Sequence, residues 1–446
     1  MNLEDLKNKK ICLLGLGLEN LSLAKYLTKK GIAVSVSDKR NSGKLGKRHQ
    51  ILKKIKVDFH SGPNYLNKIS DFDIIFKTPG FIGNLKTNKG AIVTTPMELF
   101  FDICPAKIIA ITGTKGKGTV TSLIFHILKE AGEQTWLAGN IGKAPFDFVD
   151  KLKSDHFVIL ELSSFQLIDF KKRPHIAVVT NLFPEHLSPA DPLNPVYHKS
   201  LKEYYNAKAN MFLNQKRDNW LIVNKNNHHN YSLLKKSRAR KIYFEANRDF
   251  PKNQFLIGKH NQENIAAACA VAEILKIPKK IIANAISSFR SLEHHLEFVR
   301  EIDSVKFYND SASTMPEATL AAIRSFDKSV ILITGGVNKG YNLKNFAGNL
   351  LNSLYPLSIM LIGKTSKELF NHFKKSEKKL NAAISTVYFR DGKNIKDVVN
   401  EAFAIAAKPG DIILFSPGFA SFDMFRNSKD RGEKFKKAVL NLKAKN

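Results

Sequence analysis

The sequence predicts an α/β protein with more than one domain, and three observations lead there. At 446 residues the chain exceeds what one core comfortably holds, so two or three domains are expected. Apolar runs of strand length alternate with segments of helical spacing in three successive blocks, the pattern of wound parallel sheets. Strands also close on Gly, Ser or Asp before a helix begins, and in open parallel sheets the ligand sites lie beyond such strand ends.

The first block opens with KKICLLGLGLENLSLAKYLTKKGIAVSVSDKR (9–40), which reads as strand, glycine turn, helix and a second strand with Asp38 at its tip. This is the layout of a dinucleotide fingerprint, in which turn amides meet a pyrophosphate and an acidic residue about twenty places later meets a ribose. Gly15 and Gly17 stand in place, but Asn20 holds the position of the third glycine. The block therefore reads as a nucleotide-facing crevice of general type rather than a nicotinamide site. IIFKTPGF (74–81) is a further strand running into a Thr-Pro-Gly turn that ends at the same crevice.

The second block starts near Pro96 and carries AITGTKGKGTVTS (110–122) between a buried strand, AKIIAI, and a helix with Val120, Leu123, Ile124, Ile127 and Leu128 on one face. A glycine turn opening a helix binds anions, because first-turn amides lack carbonyl partners and the helix dipole is positive there. Gly113, Gly116 and Gly118 leave room for phosphate, Lys117 reaches the outer phosphates, and a hydroxyl at the helix start faces Mg²⁺. The stretch departs from G-x-x-x-x-G-K-[ST]: its front glycine is two residues nearer, and Gly118 follows the lysine and pushes the hydroxyl to Thr119. An ordinary strand-to-helix turn is the alternative.

Beyond the loop come NIG (140–142) and two strand segments, HFVILELSSFQL (156–167) and HIAVVTNLFPEHL (175–187). Glu161 ends one and His186 lies just past the other. Singly they read as a polar strand end and a surface histidine; together, beside a phosphate loop, they are candidates for Mg²⁺, which favours hard oxygen ligands and keeps waters. Residues 217–254 are polar, Asn-rich and basic and read as surface excursions. GKHNQENIAAACAVAEIL (258–275) is a glycine turn and an alanine-rich helix with Asn261 and Asn264 near its start, where capping is the simple alternative to a ligand role. KFYNDSAST (306–314), SVILITGG (329–336), SIMLIGKTSKELF (358–370) and GDIILFSPGFASFDMFRN (410–427) form the third block, again wound α/β.

Composition bounds the class. No apolar run reaches the eighteen or so residues needed to cross a bilayer, and MNLEDLKNKKICLLG carries acidic residues where a signal peptide would be basic, so a cytoplasmic protein is expected. Cys12, Cys104 and Cys269 are too far apart for a disulfide framework or a zinc site. The net charge of +30 attracts nucleic acid, anionic lipid and phosphorylated small molecules alike. No groove-reading motif accompanies it, so a solvated basic surface is expected and no nucleic-acid partner.

In order, GLGLENLSLAKYL, ITGTKGKGTVTS, LAGNIG, LELSSFQL, TNLFPEHL, KHNQENIAAA, NDSASTMPEATLAAI and LFSPGFASFDMFRNSKDRGEKF resemble the Mur ligases over nearly the whole chain. ELSSFQL and SPGFASFDMF with the following RG are most specific to the family's D-glutamate-adding member. The phosphate loop marks the whole superfamily, folate polyglutamate synthases included. The resemblance implies three domains: a Rossmann-like UDP-sugar domain (1–95), a central ATP-binding phosphate-loop domain (96–294) and a Rossmann-like C-terminal domain (295–446) that closes over ATP and takes the amino acid. It implies an ATP-dependent amide ligase that phosphorylates the alanyl carboxylate of UDP-N-acetylmuramoyl-L-alanine and lets D-glutamate's amine attack the acyl phosphate. A monomer is expected.

Residue by residue, the resemblance assigns Lys117 to the β- and γ-phosphates, with Gly113, Thr114, Lys115, Gly116, Gly118 and Thr119 completing the loop. Thr119, Glu161, His186 and Lys208 serve two Mg²⁺ ions, Lys208 as a carbamate; one lysine among so many basic residues also reads as a surface lysine. Asn261, Asn264, His295 and Asp310 match ATP positions. Thr314, Lys339, Ser421 and Phe422 match D-glutamate positions, and Gly17, Asp38, Thr78 and Asn140 line the UDP-sugar site. His295 stands where the family commonly has arginine, Ala312 where some members carry lysine, Ser428 where some carry an aromatic residue, and the segment between His186 and Lys208 is longer than usual. A sister ligase with another amino acid or acceptor, and a non-catalytic basic nucleic-acid-binding protein, are the alternatives.

Overall fold

The computed structural model describes residues 1–81, 83–185, 187, 197–226, 231–246, 253, 255–352, 357–375, 384–390, 394–406 and 410–444. The chain forms two compact units, Met1–Phe250 with Glu263–Ala285 and Pro251–Gln262 with Ile286–Asn446, and the division falls inside helix Lys259–Ile274. Both units are α/β, with helices connecting the strands of three mainly parallel sheets.

The first unit holds two of these sheets. β1 (Ile11–Leu14), β2 (Ser35–Asp38), β3 (Asp58–Ser61), β4 (Ile74–Lys77) and β5 (Ile92–Thr94) pair in parallel in the order β3-β2-β1-β4-β5. The order reverses between β1 and β4, so the turns after these two strands flank a crevice of the kind that takes ligands. β6 (Lys107–Thr112), β7 (Thr135–Gly139), β8 (Phe157–Glu161), β9 (Ile176–Val179), β10 (Trp220–Asn224) and β11 (Arg240–Phe244) pair in parallel as β11-β10-β9-β6-β8-β7. β6 thus lies between β8 and β9, and because all three run parallel their C-terminal ends lie side by side at one end of the sheet.

Burial explains the strand sequences. Every residue of β1, β8 and β9 is buried, as expected where helices cover both faces of a parallel sheet. Helix Lys117–Glu130 buries Val120, Leu123, Ile124, Ile127 and Leu128, the predicted stripe. One expectation fails: 217–254 is not merely a surface excursion. WLIVN is β10, whose last four residues are buried, and RKIYF is β11 at the sheet edge. Short β-branched runs suffice for strands when a neighbouring strand supplies the ladder, and their Lys and Asn flanks hid them.

The second unit is built on β12 (Glu297–Ile302), β13 (Val305–Asn309), β14 (Val330–Thr334), β15 (Leu357–Leu361), β16 (Ile384–Phe389) and β17 (Ile412–Phe415), in the order β12-β13-β17-β14-β15-β16. β12 runs antiparallel to β13 and the other pairs are parallel. Val330, Leu332, Ile412 and Leu414 enter one apolar cluster, while Ile331, Ile333, Ile413 and Phe415 enter another. Alternate residues of one strand thereby serve both faces.

A buried arginine ties the loops at this sheet's edge together. Arg431, on helix Ser428–Leu440 and 1% exposed, donates from Nε to Ser311 Oγ (3.0 Å), from Nη2 to Ser311 O (2.8 Å) and from Nη1 to Phe419 O (2.9 Å). Burial lowers the guanidinium to about 10, opposed by the charges of Asp423 and Asp310, so it stays protonated at neutral pH. Replacing it leaves buried acceptors without donors, each worth about 1–3 kcal/mol. Arg431→Met is expected to lower unfolding stability in urea by about 3 kcal/mol; a loss below about 1 kcal/mol would mean that these carbonyls find other donors.

Candidate functional site

The loop between β6 and helix Lys117–Glu130 is shaped by two glycines. Gly113 has φ +146°, and a Cβ on it would stand 1.9 Å from Thr180 Oγ1. Gly116 caps the helix in the left-handed region at φ +79°, and a Cβ there would stand 2.3 Å from Asn264 Oδ1. Neither position accepts a side chain without rearrangement. The residues after β9 hold the loop: Thr114 N–H donates to Asn181 O (2.8 Å), Lys115 N–H to Asn181 Oδ1 (2.8 Å), and Thr180 Oγ1 to Lys115 O (2.7 Å). Thr114 is a staple: its hydroxyl accepts from Phe183 N–H (3.0 Å) and bonds Tyr204 OH (2.9 Å). Lys117 Nζ lies back on Thr114 O (2.9 Å), and the exposed Lys115 pairs with Glu185 (2.6 Å). Gly118 and Thr119 are the second and third residues of the helix.

Beneath the loop sits a buried amine. Lys208, on helix Leu201–Leu213, is only 2% exposed, so the surface-lysine reading falls. Its Nζ donates to Gly113 O (2.7 Å) and lies 4.8 Å from the centre of the Tyr204 ring, one turn away at i−4. Its neighbours Ala207 and Ala209 are buried. Burial pulls the Lys208 amine well below the ordinary lysine range, and the charge of Lys117 adds to this, while Glu185 and Glu161 oppose it. Lys117 is lowered too, by burial first. Glu161, the buried last residue of β8, is raised by burial, with Lys117, a hydrogen bond to Asn140, and Lys208 working against the rise. Two amines and one carboxylate thus share a poorly solvated space at the convergent ends of β6 and β8.

This donor set fits phosphate and Mg²⁺. The glycine cradle and the first-turn amides suit a phosphate anion, and Glu161 offers a hard carboxylate oxygen. Among the described residues no group of three or more His, Cys, Asp and Glu is preformed for a metal. A Mg²⁺ that takes its remaining ligands from phosphates and water needs no such cage. His186 lies outside the described residues.

The first sheet brings Gly17, Asp38 and Thr78 together. Thr78 N–H donates to Leu14 O (2.8 Å), and its Oγ1 lies 3.3 Å from where a Cβ on Gly17 would stand. Asp38 Oδ2 accepts from Leu16 N–H (2.6 Å) and from Arg40 Nη2 (2.7 Å). Burial alone would raise Asp38, but the Arg40 guanidinium and the amides of Leu16 and Arg40 hold it below the usual carboxylate range. Asn20, in the place of the third glycine, donates to Leu14 O, Gly15 O and Phe76 O and pins the turn. Asn140 bonds Glu161 on the second sheet through its side chain, and its backbone N–H donates to Glu161 O (3.0 Å).

In the second unit, Val337 and Ala420 form an isolated antiparallel bridge that brings the loops carrying Lys339, Ser421 and Phe422 together. Lys339 Nζ lies 5.8 Å from the centre of the exposed Phe422 ring, and Ser421 is buried. Gly418 N–H donates to Ser313 O (3.0 Å), so Thr314 adjoins the same turn. Asp310 is occupied internally: it accepts from Ser416 Oγ (2.7 Å), Ser313 Oγ (2.5 Å) and Leu296 N–H (3.0 Å), and burial raises it to about 6. His295 is exposed, whereas its neighbour His294 is buried, adopts φ +67° and bonds Asn309 (2.9 Å). Asn261 Nδ2 donates back to Ile257 O (2.8 Å), and Asn264 packs on Gly116 in the first unit.

Several organising residues were not singled out from sequence. Thr180, Asn181 and Tyr204 hold the phosphate loop, and Gln166 bonds both Glu19 on the helix after β1 (2.6 Å) and Ser163 (2.8 Å). The usable signals were Asn181 beyond a strand end and Tyr204 four residues before Lys208 on one helix face.

A glycine cradle at a helix N-terminus on a parallel sheet, with a carboxylate at the adjoining strand end and a buried lysine from a later helix, is a setting suited to phosphate, and comparison with known proteins gives its family. The family model described as the Mur ligase middle domain matches residues 111–255, and that of the Mur ligase MurD-like N-terminal domain matches residues 9–91. The chain belongs to the Mur ligases. The UDP-N-acetylmuramoylalanine–D-glutamate ligase of Clostridium novyi is 37% identical over 98% of both chains, and that of Clostridium botulinum is 38% identical over the same shares. The crystal structure of MurF ligase from Thermotoga maritima in complex with ADP superposes with a TM-score of 0.56 at 13% identity, covering 98% of this chain and 97% of that one, a likeness of fold. No described helix is long and apolar enough to cross a membrane.

The lowered Lys208 gives a pH signature. The unfolded lysine takes its proton near pH ~10.4, whereas the folded one takes it only at lower pH, so folding stability falls as pH drops through that window. Lys208→Met lacks this titration. The stability of wild type relative to Lys208→Met is expected to decline from pH ~10.4 toward neutrality in urea titrations; a pH-independent difference would mean that Lys208 keeps its proton in the fold.

Proposed function

We propose that the chain is an ATP-dependent ligase that joins D-glutamate to UDP-N-acetylmuramoyl-L-alanine in cytoplasmic peptidoglycan precursor synthesis. The observation that carries this is a likeness to ligases of that name spanning 98% of both chains, so that it covers all three sheets and not the phosphate loop alone. We read the boundaries near residues 95 and 294 as domain limits, one sheet to each domain, and the protein as a monomer.

In this reading Lys117 leaves Thr114 O for the β- and γ-phosphate oxygens, and the first-turn amides hold the phosphates in the cradle of Gly113 and Gly116. The alanyl carboxylate attacks the γ-phosphorus, the bond to the bridging oxygen breaks, and ADP leaves with the electron pair. D-glutamate's amine then adds to the acyl carbon, phosphate leaves, and one proton is released with the amide. Both reactants of the first step are anions, and Mg²⁺ when bound supplies charge that offsets their repulsion. Glu161, His186 and Lys208 as a carbamate would hold two such ions. The depressed basicity of Lys208 favours that modification, since a neutral amine adds to CO₂ and sheds a proton to become an anion. Asn140 orients Glu161. Gly17, Asp38, Thr78 and Asn140 face the UDP-sugar, Asn261, Asn264, His295 and Asp310 belong to the ATP side, and Thr314, Lys339, Ser421 and Phe422 take D-glutamate.

The test is phosphate release from ATP with Mg²⁺ and UDP-N-acetylmuramoyl-L-alanine. Turnover is expected with D-glutamate and not with L-lysine, meso-diaminopimelate or L-alanine; turnover that prefers one of these others would overturn the amino-acid assignment. If Lys339 pairs with a D-glutamate carboxylate, Lys339→Ala removes a charge-assisted bond worth about 1.5–3 kcal/mol. Its KM for D-glutamate should rise roughly 10- to 100-fold while the KM for ATP moves less than about twofold. Equal rises in both constants would take Lys339 out of the amino-acid site.

A further inference from the structure

The phosphate-loop pattern G-x-x-x-x-G-K-[ST] places a hydroxyl immediately after the lysine, where it ligates Mg²⁺. In this chain that position is Gly118. We propose that the loop's metal ion is held here without a hydroxyl from the helix, that water fills the vacated ligand position, and that Thr119 does not replace it. This rests on the reading of the loop as a Mg²⁺–ATP site and refines it.

The register leaves little freedom. Gly116 is locked as the helix cap by its left-handed backbone and by Asn264 packed against it, so Lys117 is the first helical residue and Gly118 the second. Thr119 is turned a further ~100° around the axis, which puts a side-chain oxygen about 5 Å from where one at residue 118 would be, by helix geometry. A Mg²⁺–oxygen bond is only about 2.1 Å. Several nearby hydroxyls are fixed in orientation by bonds of their own: Thr112 Oγ1 donates to Leu162 O (2.8 Å), Thr121 Oγ1 to Lys117 O (2.7 Å), Thr180 Oγ1 to Lys115 O (2.7 Å), and Thr114 Oγ1 bonds Tyr204 OH (2.9 Å). Glu161 remains as the carboxylate at the strand end, and Mg²⁺ accepts water readily where protein oxygens are few.

Gly118 lies within the helix and outside the left-handed region, so serine fits its backbone conformation. The experiment uses Mn²⁺ as the probe with ADP and the full chain, titrated by electron paramagnetic resonance, with water-proton relaxation counting the waters on bound Mn²⁺. Gly118→Ser is expected to tighten Mn²⁺ in the ADP complex about tenfold and to remove one exchanging water. Gly118→Ala, which adds a methyl and no hydroxyl, and Thr119→Ala should each shift it less than about twofold. A tenfold weakening in Thr119→Ala, or no tightening and no lost water in Gly118→Ser, overturns the proposal. Wild-type protein that binds no ADP, or binds it without regard to Mn²⁺, overturns the ATP reading itself and the proposal with it.

Discussion

The carbonyl of Gly113 accepts a hydrogen bond from the buried amine of Lys208, while the α-carbon of the same residue comes so close to Thr180 that no side chain fits. These two contacts join the end of β6 to a helix more than ninety residues later and to the end of β9. The loop's amides point where they do because its backbone is wedged between these neighbours, with Asn181 and Tyr204 closing the remaining directions. A phosphate therefore meets donors that are already oriented, which is the arrangement that favours an anion without reorganisation at the moment of reaction.

The same packing sets the electrostatics. Glu161, Lys117 and Lys208 each resist being charged because water is scarce around them, and each is partly relieved by another of the three. Glu161 carries this coupling: its charge opposes the depression of both lysines, and theirs opposes its own rise. The first sheet works differently: Asp38 is fully supplied with donors from Leu16 and Arg40 and stays ionised, which makes it a fixed clamp rather than a proton-exchanging group.

Much of this was legible in the sequence, for reasons that also mark where legibility stopped. Strands buried on both faces, such as β8 and β9, read as unbroken apolar runs. The glycine turns after β1 and β6 were visible because only glycine permits the backbone they adopt. The edge strand β3, DFHS, carries no such run, and β10 and β11 were masked by basic and Asn-rich flanks. Lys208 is buried against a carbonyl 95 positions away, which no local pattern encodes. Asn140 and Asp310 carried names from a resemblance, but their partners in this fold, Glu161 for one and two serines for the other, are matters of tertiary packing. Asn20 illustrates the converse, since what looked like a missing glycine is the residue that holds the turn shut.

β17 is the last strand among the described residues, yet it lies in the middle of its sheet, hydrogen-bonded to β13 on one side and β14 on the other. During synthesis β12 to β16 emerge first and cannot close into a continuous sheet, because the strand that joins their two halves is still inside the ribosome. Until residues 412–415 are released, β13 and β14 each present an open edge, and such edges pair readily with other chains. Arg431, on the helix that follows β17, then ties Ser311 to the loop after that strand through Phe419. A chain truncated before β17 would therefore lose the continuity of the whole third sheet and not just one strand of it.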